Sequence, residues 1–305
     1  MSDAYTNLLA GSLQPRPTPQ RESTWRETDL GSVHVERIGP RDSARRVLFF
    51  HGAGGNAAML WPFAAAIAEQ GVHVVVPDIY GFGKSTVRDK ASVRYRHWVN
   101  LAAQLLQEER RSHEGPLAAV GGSMGGMLAY EAATRTGAAD AVIATCLLDP
   151  RERGTRRQIA AWPVLGSLAP GLLRVLAGPF ARVQIPVRWL ANMRAISNDP
   201  RFVTASLADA QGGGNSMPLG FLRSYLESAP AVEPEDAQVP VTLAQPGADL
   251  WTPLETSQPF FERLGSPTRL VTLQNAGHVP IEMPGARQLI EAIIDALDGV
   301  RAPPA

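Results

Sequence analysis

A serine flanked by glycines is the group in this sequence best placed to do chemistry. Ser123 lies in residues 121–125, which read GGSMG and fit the pattern G-x-S-x-G. A strand-like run of small residues precedes the motif, and a helical pattern follows it directly. Glycines permit a sharp strand-to-helix turn, which lifts the hydroxyl off the sheet and aims backbone N–H groups at developing negative charge. The context favours a nucleophilic serine over the alternative, an ordinary glycine turn in which the serine caps the helix.

Three further segments, together with this motif, resemble the α/β-hydrolase family over residues 25–300. Residues 46–56 (RVLFFHGAGGN) resemble the strand and His-Gly loop that supply one oxyanion donor. Residues 78–85 (DIYGFGKS) resemble the D-x-x-G-x-G-x-S turn, and residues 275–278 (NAGH) resemble the loop that presents the catalytic histidine. The resemblance implies an α/β fold of the α/β-hydrolase type, with a mostly parallel central sheet flanked by helices and an inserted helical cap, or lid.

The base is predicted to be His278. A serine hydroxyl is a weak nucleophile and needs a base that takes its proton near neutral pH. His278 follows the last strand pattern on a glycine-containing loop, from which a side chain can reach across the top of the sheet. The resemblance gives His51 a structural role beneath the oxyanion loop. The remaining histidines lie in strand or charged-helix patterns that are typical of structural or solvated residues: His34, His73, His97 and His113.

The orienting acid is predicted to be Asp249. In this family the acid precedes the histidine in the chain, and residues 246–253 (PGADLWTP) resemble the family's acid loop after a strand pattern. A turn aspartate that caps the following helix is the structural alternative. Asp149, which ends the preceding strand pattern, stays open as a rival, because some family members take their acid from that strand.

The oxyanion hole is predicted to use two backbone N–H groups. The resemblance assigns one to Met124, after the nucleophile, and the other to Ala53, after His-Gly. Only the main chain takes part, so the side chains at these positions carry no information about the role. Loss of one such donor typically costs about 3–4 kcal/mol of transition-state stabilisation.

Short strand-like runs alternate with helical patterns on both sides of one long interruption, which indicates one α/β domain with an insertion. We expect an extended or disordered arm at 1–22, a hydrolase core at 23–149 and 237–300, a cap at 150–236 and a tail at 301–305. The predicted strands are 33–38, 46–50, 72–77, 117–121, 141–148, 239–244 and 268–273.

The insertion is predicted to be helical, without convincing strands, and to act as a mobile lid. Prolines cut it into short segments, and the glycine run 212–214 is interpreted as a flexible joint. Trp162, Phe180 and Trp189 are the candidate substrate-binding residues of the cap. Between Arg151 and Arg201 there are nine arginines and two acids. The sequence leaves three interpretations of these arginines open: a solvated helix face, attraction of an anionic substrate, or contact with an anionic lipid surface.

The composition of the chain limits the kinds of partner and cofactor that we expect it to bind. Lys plus Arg equals Asp plus Glu at 29 each, so no net charge favours nucleic acid. The single cysteine, Cys146, lies in an apolar run and excludes an intramolecular disulfide. We expect a cytoplasmic protein without signal peptide or membrane span, although its lid could contact lipid. No group of His, Cys and carboxylate residues has the spacing of metal ligands, so we expect neither a metal nor another cofactor. The oligomeric state stays open.

The expected activity is hydrolysis of a carboxylic ester with a small to medium apolar acyl group, as in carboxylesterases and lipases, through an acyl-enzyme intermediate. A thioester, a lactone or a C–C bond next to a carbonyl would suit the same machinery, and a triad-bearing ligand receptor with little turnover is the non-enzymatic alternative. Residues 52–57 also fit G-x-G-x-x-G/A, with Asp78 near the ribose-binding position. A dinucleotide-binding function would leave the motifs at Ser123, Asp249 and His278 unexplained.

Overall fold

The computed structural model describes Tyr5, Leu8, residues 20–160, Gly171, Leu173 and residues 178–300. Within these residues nine strands form one sheet, in the order β1-β2-β4-β3-β6-β7-β10-β11, with β5 paired to β2. The neighbours from β4 to β11 run parallel, whereas β1, β2 and β5 pair antiparallel. The strands are β1 (Arg21–Thr28), β2 (Gly31–Ile38), β3 (Arg46–Phe50), β4 (His73–Pro77), β5 (Thr86–Val87), β6 (Leu117–Gly121), β7 (Ala141–Ala144), β10 (Val241–Pro246) and β11 (Thr268–Leu273).

Helices cover the sheet, which explains why its central strands are largely apolar. Every residue of β3, β4, β6 and β7 is buried, as expected for strands enclosed on both faces. The first and last helices of the core pack together, as do the second and third. The core helices are α1 (Ala57–Glu69), α2 (Tyr95–Arg111), α3 (Met124–Thr136), α8 (Leu254–Phe261) and α9 (Gly285–Asp298).

The predicted α/β architecture is confirmed: a mostly parallel central sheet is flanked by helices. Three strands, β3, β6 and β11, have the predicted bounds. β7 ends at Ala144, four residues before the predicted end, because residues 145–148 leave the ladder although they are buried. The sequence analysis missed β1, whose pattern RESTWRET is largely polar because the strand lies at the edge of the sheet.

The inserted region lies between β7 and β10. It contains α4 (Arg153–Ile159), α5 (Val187–Leu190), α6 (Pro200–Ala208) and α7 (Leu219–Leu226). It also contains two strands, β8 (Gln184–Pro186) and β9 (Ser216–Pro218), which pair antiparallel. The expectation of no strand here was wrong, since three-residue strands are too short to display a period of two. Trp162 lies outside the described residues.

The glycine run 212–214 packs closely against the core. Gly212 and Gly213 are buried, and a Cβ on Gly212 would lie 3.0 Å from the carbonyl oxygen of Gly54. Next to the run, the Gly83 N–H donates to the Gln211 carbonyl at 2.9 Å, and the Asn215 side chain donates to the Gly81 carbonyl at 2.8 Å. A Cβ on Gly213 or Gly214 would instead lie 2.7 Å from the Ser206 carbonyl oxygen or 2.8 Å from the Leu207 carbonyl oxygen, so close packing limits side chains at all three positions.

Candidate active site

Ser123 occupies the predicted turn between β6 and α3. Its φ of 56° lies where L-residues other than glycine are strained, typically by about 1–3 kcal/mol. The neighbouring glycines permit the turn: a Cβ on Gly121 would lie 1.9 Å from the Gly125 carbonyl oxygen, and one on Gly125 would lie 2.4 Å from the Phe50 carbonyl oxygen. The Ser123 N–H donates to Thr145 Oγ1 at 3.1 Å, which further fixes the turn.

His278 and Asp249 form a buried hydrogen-bonded pair. The distance from His278 Nδ1 to Asp249 Oδ2 is 2.9 Å, and both residues are more than nine-tenths buried. Asp249 Oδ1 accepts the N–H groups of Trp251 and Thr252 at 2.7 and 2.9 Å. Thr252 Oγ1 donates to Asp249 Oδ2 at 2.8 Å and lies 3.0 Å from His278 Nδ1. The acid loop thus surrounds the carboxylate with donors.

These contacts fix the protonation of the pair. Burial alone would raise the pKa of the Asp249 carboxyl, but the hydrogen bond and charge of His278 and the hydrogen bonds of Thr252 outweigh burial and hold that pKa below its usual range. An ionised carboxylate needs a donor at Nδ1, so the neutral imidazole carries its proton there and leaves Nε2 as an acceptor.

The free nitrogen of His278 is buried at the cavity that Ser123 lines. Nε2 makes no hydrogen bond to any residue in the described part of the chain. A cavity of about 50 Å³ is lined by Ser123, His278 and Thr145, among others. Ser123 and His278 are therefore neighbours across one cavity without a hydrogen bond between them. In the absence of substrate such bonds are often long and tighten only when it binds.

Asp149 is held elsewhere. Its carboxylate accepts the Arg151 backbone N–H at 2.8 Å and three hydrogen bonds from the Arg151 guanidinium at 2.8–3.1 Å. Arg151 also contacts Glu233 at 2.7 Å. Of the two candidate acids, the structure brings Asp249 to His278 and places Asp149 in an arginine-bound turn.

The loop that carries Ala53 touches the turn at Ser123. A Cβ on Gly52 would lie 2.9 Å from Ser123 Cβ and 3.1 Å from the Met124 nitrogen. Ala53, Ser123 and Met124 line one cavity. Turns, loops and side chains in the described ranges provide no acceptor for the N–H of Ala53 or Met124. Both predicted donors thus belong to residues that line a cavity together with Ser123.

His51 stabilises the loop that carries Ala53. Its Nε2 accepts the Ile79 N–H at 2.9 Å, and its Nδ1 is 2.8 Å from the Gly52 carbonyl, to which it donates. Burial lowers the pKa of His51, so the ring stays neutral in this tautomer. Both ring nitrogens are occupied, which gives His51 a structural position in the fold.

A larger cavity of about 180 Å³ adjoins Ser123 and is mainly apolar. Trp189 lines it although its side chain is 62% exposed, whereas Phe180 is 52% exposed and lies outside the lining. The other candidate from the cap, Trp162, falls in the part of the chain that the structure does not describe. Several lining residues were not predicted from the sequence: Leu148, Met217, Phe221, Tyr225 and Trp251. Of these, Phe221 and Tyr225 have the four-residue spacing of one helix face.

Sequence reasoning also missed residues that position the pair. The Trp251 ring packs on His278 with centroids 4.5 Å apart. Asn198, in the insertion, donates to the Ala248 carbonyl at 2.9 Å, and the Val279 N–H donates to the Ile196 carbonyl at 2.8 Å. One segment of the insertion therefore holds both the acid loop and the histidine loop. No local sequence pattern indicates these contacts.

Cys146 and Asp78, the other groups that the sequence offered for chemistry, are engaged within the fold. Burial raises the pKa of the Cys146 thiol to about 12, so no thiolate forms near neutral pH. Asp78 binds the N–H groups of Ala57 and Lys84 at 2.7 and 2.8 Å and His34 at 2.8 Å, which leaves no carboxylate oxygen for a ribose. In the described part of the chain, no three His, Cys, Asp or Glu side chains are grouped as metal ligands, and no helix combines the length and apolarity of a membrane span.

The comparisons agree with this geometry. A sequence profile of the family described as serine aminopeptidase, S33, matches residues 41–282. A search of curated protein sequences found no match. Among solved structures, a monoacylglycerol lipase from Paleococcus ferrophilus has a TM-score of 0.69 at 19% identity, over 88% of this chain and 99% of that one.

Two further solved structures are similar. A soluble variant of monoglyceride lipase from Saccharomyces cerevisiae, in complex with a substrate analogue, has a TM-score of 0.76 at 15% identity, over 94% of this chain and 97% of that one. Epoxide hydrolase A from Mycobacterium thermoresistibile has a TM-score of 0.62 at 20% identity, over 94% of this chain and 100% of that one. At these identities the likeness is one of fold. Because the family profile spans most of the sequence, the chain belongs to the S33 serine aminopeptidase family and is a serine hydrolase of the α/β-hydrolase fold.

Proposed function

We propose that this protein hydrolyses a carboxylic ester with a small to medium apolar acyl group. Ser123 is the nucleophile, His278 the base and Asp249 the acid that orients the base. One observation carries the proposal: the Asp249–His278 pair leaves the imidazole Nε2 unpaired at the cavity that the strained Ser123 lines. A base held in the correct tautomer beside an activated hydroxyl is the arrangement that acyl transfer requires.

The reaction follows from this arrangement. His278 Nε2 takes the Ser123 proton as Oγ attacks the ester carbonyl, and the N–H groups of Ala53 and Met124 stabilise the tetrahedral oxyanion. The imidazolium, stabilised by Asp249, gives its proton to the leaving alcohol, and an acyl-enzyme remains. Water then attacks the acyl group with His278 again as base, which releases the acid and restores Ser123.

The family's description favours a second candidate, removal of an amino-terminal residue from a peptide. An aminopeptidase must bind a protonated α-amino group, which calls for a carboxylate in the cavity. Among the described residues, no Asp or Glu lines either cavity at Ser123, and the charged side chain in the lining is the cation Arg156. An ester with an apolar acyl group therefore suits these walls better than a peptide amino terminus.

We also propose that residues 150–236 form a cap that selects the substrate without supplying the nucleophile, base or acid. The cap supplies most of the larger cavity's wall, including Trp189, Met217 and Phe221. Its 196–215 segment is tied to the core by hydrogen bonds at Asn198, Gln211 and Asn215. The helix that carries Trp189 is joined to this segment, since the Val187 N–H donates to the Asn215 carbonyl at 2.9 Å.

A substrate panel tests the proposal. p-Nitrophenyl esters of increasing chain length, aminoacyl p-nitroanilides and an epoxide would be compared with the wild type and with Ser123→Ala. We expect turnover of esters above all, lost in the variant with the thermal unfolding curve retained. Preference for the anilides would establish the peptidase candidate. A wild type that binds the esters without turnover would establish the ligand receptor.

A further inference from the structure

The larger cavity beside Ser123 contains an unusual charge. Its walls are mainly apolar, and among the described lining residues Arg156 is the sole charged one. Arg156 lies on α4, directly after the turn formed by Asp149, Pro150 and Arg151. A guanidinium at an apolar wall is costly unless its hydrogen bonds and charge are matched.

The guanidinium of Arg156 has one buried N–H without a hydrogen-bond partner among the described residues. Nη1 donates to the carbonyl oxygens of Pro150 and Arg151 at 2.8 and 2.6 Å. Nε is buried and has no hydrogen-bond partner in the described part of the chain. An N–H left unpaired in this way is an unmet donor, and it belongs to a residue that lines the substrate cavity.

The charge of Arg156 is also unmatched. Asp149, in the turn before α4, and Glu233 are both bound by the guanidinium of Arg151, at 2.8 and 2.7 Å. No ion pair to Arg156 exists among the described residues, whereas Arg151, five residues earlier, has two. The cavity wall therefore carries a positive charge that no carboxylate among the described lining residues balances.

We propose that Arg156 binds an anionic group of the substrate, so that the preferred substrates are esters whose apolar part ends in an anion, a carboxylate in the simplest case. This inference rests on the proposed ester hydrolysis and adds the substrate class. The anion would pair with the Arg156 guanidinium through a charge-assisted hydrogen bond within an apolar cavity, where such bonds are strong. The apolar walls would hold the chain between that anion and the scissile carbonyl at Ser123.

Matched substrates test this recognition. One is a p-nitrophenyl monoester of a dicarboxylic acid, and the other is its neutral analogue, in which the free carboxyl is capped as a methyl ester. The readout is the ratio of kcat/KM for the anionic ester to kcat/KM for the neutral one. For the wild type we expect a ratio of roughly ten or more, which corresponds to about 1.4 kcal/mol.

Three variants separate recognition from structure. Arg156→Gln should bring the ratio to about one or below, and Arg156→Lys should keep part of it because the charge remains. The control is Arg157→Gln, since Arg157 is exposed on the same helix and does not line the cavity; its ratio should equal that of the wild type. A wild-type ratio of one or less, or equal losses on both esters in Arg156→Gln, would overturn the inference and give Arg156 a purely structural role.

A binding measurement separates this inference from the proposed function. Calorimetry would follow suberate binding to Ser123→Ala and to Ser123→Ala combined with Arg156→Gln. Binding that is weakened roughly tenfold or more by the second change supports the anion site even if the wild type hydrolyses no ester. Equal affinity, or no binding to either, refutes the anion site while turnover of neutral esters would leave the proposed function standing.

Discussion

Replacing Asp249 by asparagine should disable the base while leaving its position intact. Asp249 Oδ1 accepts two backbone N–H groups, from Trp251 and Thr252. The asparagine carbonyl must take this side, because the amide nitrogen cannot accept those bonds. The amide NH₂ is then placed where Oδ2 was, 2.9 Å from His278 Nδ1.

An NH₂ group at that position reverses the tautomer of His278. It donates to Nδ1, so the neutral ring carries its proton on Nε2 and can no longer accept the Ser123 proton. In the serine-protease triad the same exchange lowers kcat by roughly 10⁴-fold, which is about 5.4 kcal/mol at 1.36 kcal/mol per factor of ten. We expect a loss of this order here, with KM little changed, since Asp249 does not line either cavity.

Asp149→Asn is the matched control. Its carboxylate pairs with Arg151, so the change should lower the free energy of unfolding and leave kcat within a fewfold of the wild type. Steady-state ester hydrolysis and chemical denaturation of both variants provide the two readouts. If Asp149→Asn lost three or four orders of magnitude in kcat and Asp249→Asn lost less than ten-fold, the acid would have to come from the β7 end.

Three further predictions follow from individual contacts. Ser123→Gly should abolish turnover yet raise the free energy of unfolding by about 1 kcal/mol, because glycine is unstrained at the φ of 56°; lower stability would contradict the strain. Burial raises the pKa of Glu131 to about 7, so the folded state keeps a proton that the unfolded chain releases above its ordinary value of 4.5. The free energy of unfolding should therefore fall as pH rises from about 4.5 to 7, by on the order of 3 kcal/mol at most. Urea titrations at several pH values should show a smaller fall in Glu131→Gln. The same pH dependence in the variant and the wild type would refute the assignment to Glu131. Trp189→Ala should alter relative rates among acyl chain lengths and spare acetate. Phe180→Ala, which changes another exposed aromatic residue that lies outside the cavity lining, should leave those relative rates unchanged. Equal losses on every chain length would mean that Trp189 does not select the substrate.

The sequence predicts the core of this fold well because its signals there are local. Buried parallel strands read as continuous apolar runs, and the glycines around Ser123 report a turn that only small residues permit. β1 escaped prediction because an edge strand with polar residues has no such run. The two strands of the cap escaped because three residues cannot show alternation.

The candidate site was predictable only in part, for a similar reason. Ser123, Asp249 and His278 follow strand patterns in a fixed chain order, so short motifs find them. Their supports come from elsewhere in the chain: Asn198 in the insertion holds the acid loop through a side-chain contact that no local pattern encodes. The glycine run 212–214, interpreted from the sequence as a flexible joint, is also a site of close packing, against Gly54 and against residues 206–209, that no local pattern encodes.

Covalent labelling tests the central claim most directly. The wild type, Ser123→Ala and the control Ser92→Ala would be treated with a p-nitrophenyl alkylphosphonate and followed by intact-mass and peptide-mapping mass spectrometry. We expect one adduct per chain in the wild type and in Ser92→Ala, on the peptide that contains Ser123, with loss of ester hydrolysis in proportion to labelling. Ser123→Ala should remain unlabelled. Stoichiometric labelling of another residue, or full hydrolytic activity in Ser123→Ala, would contradict the assignment of Ser123 as the nucleophile.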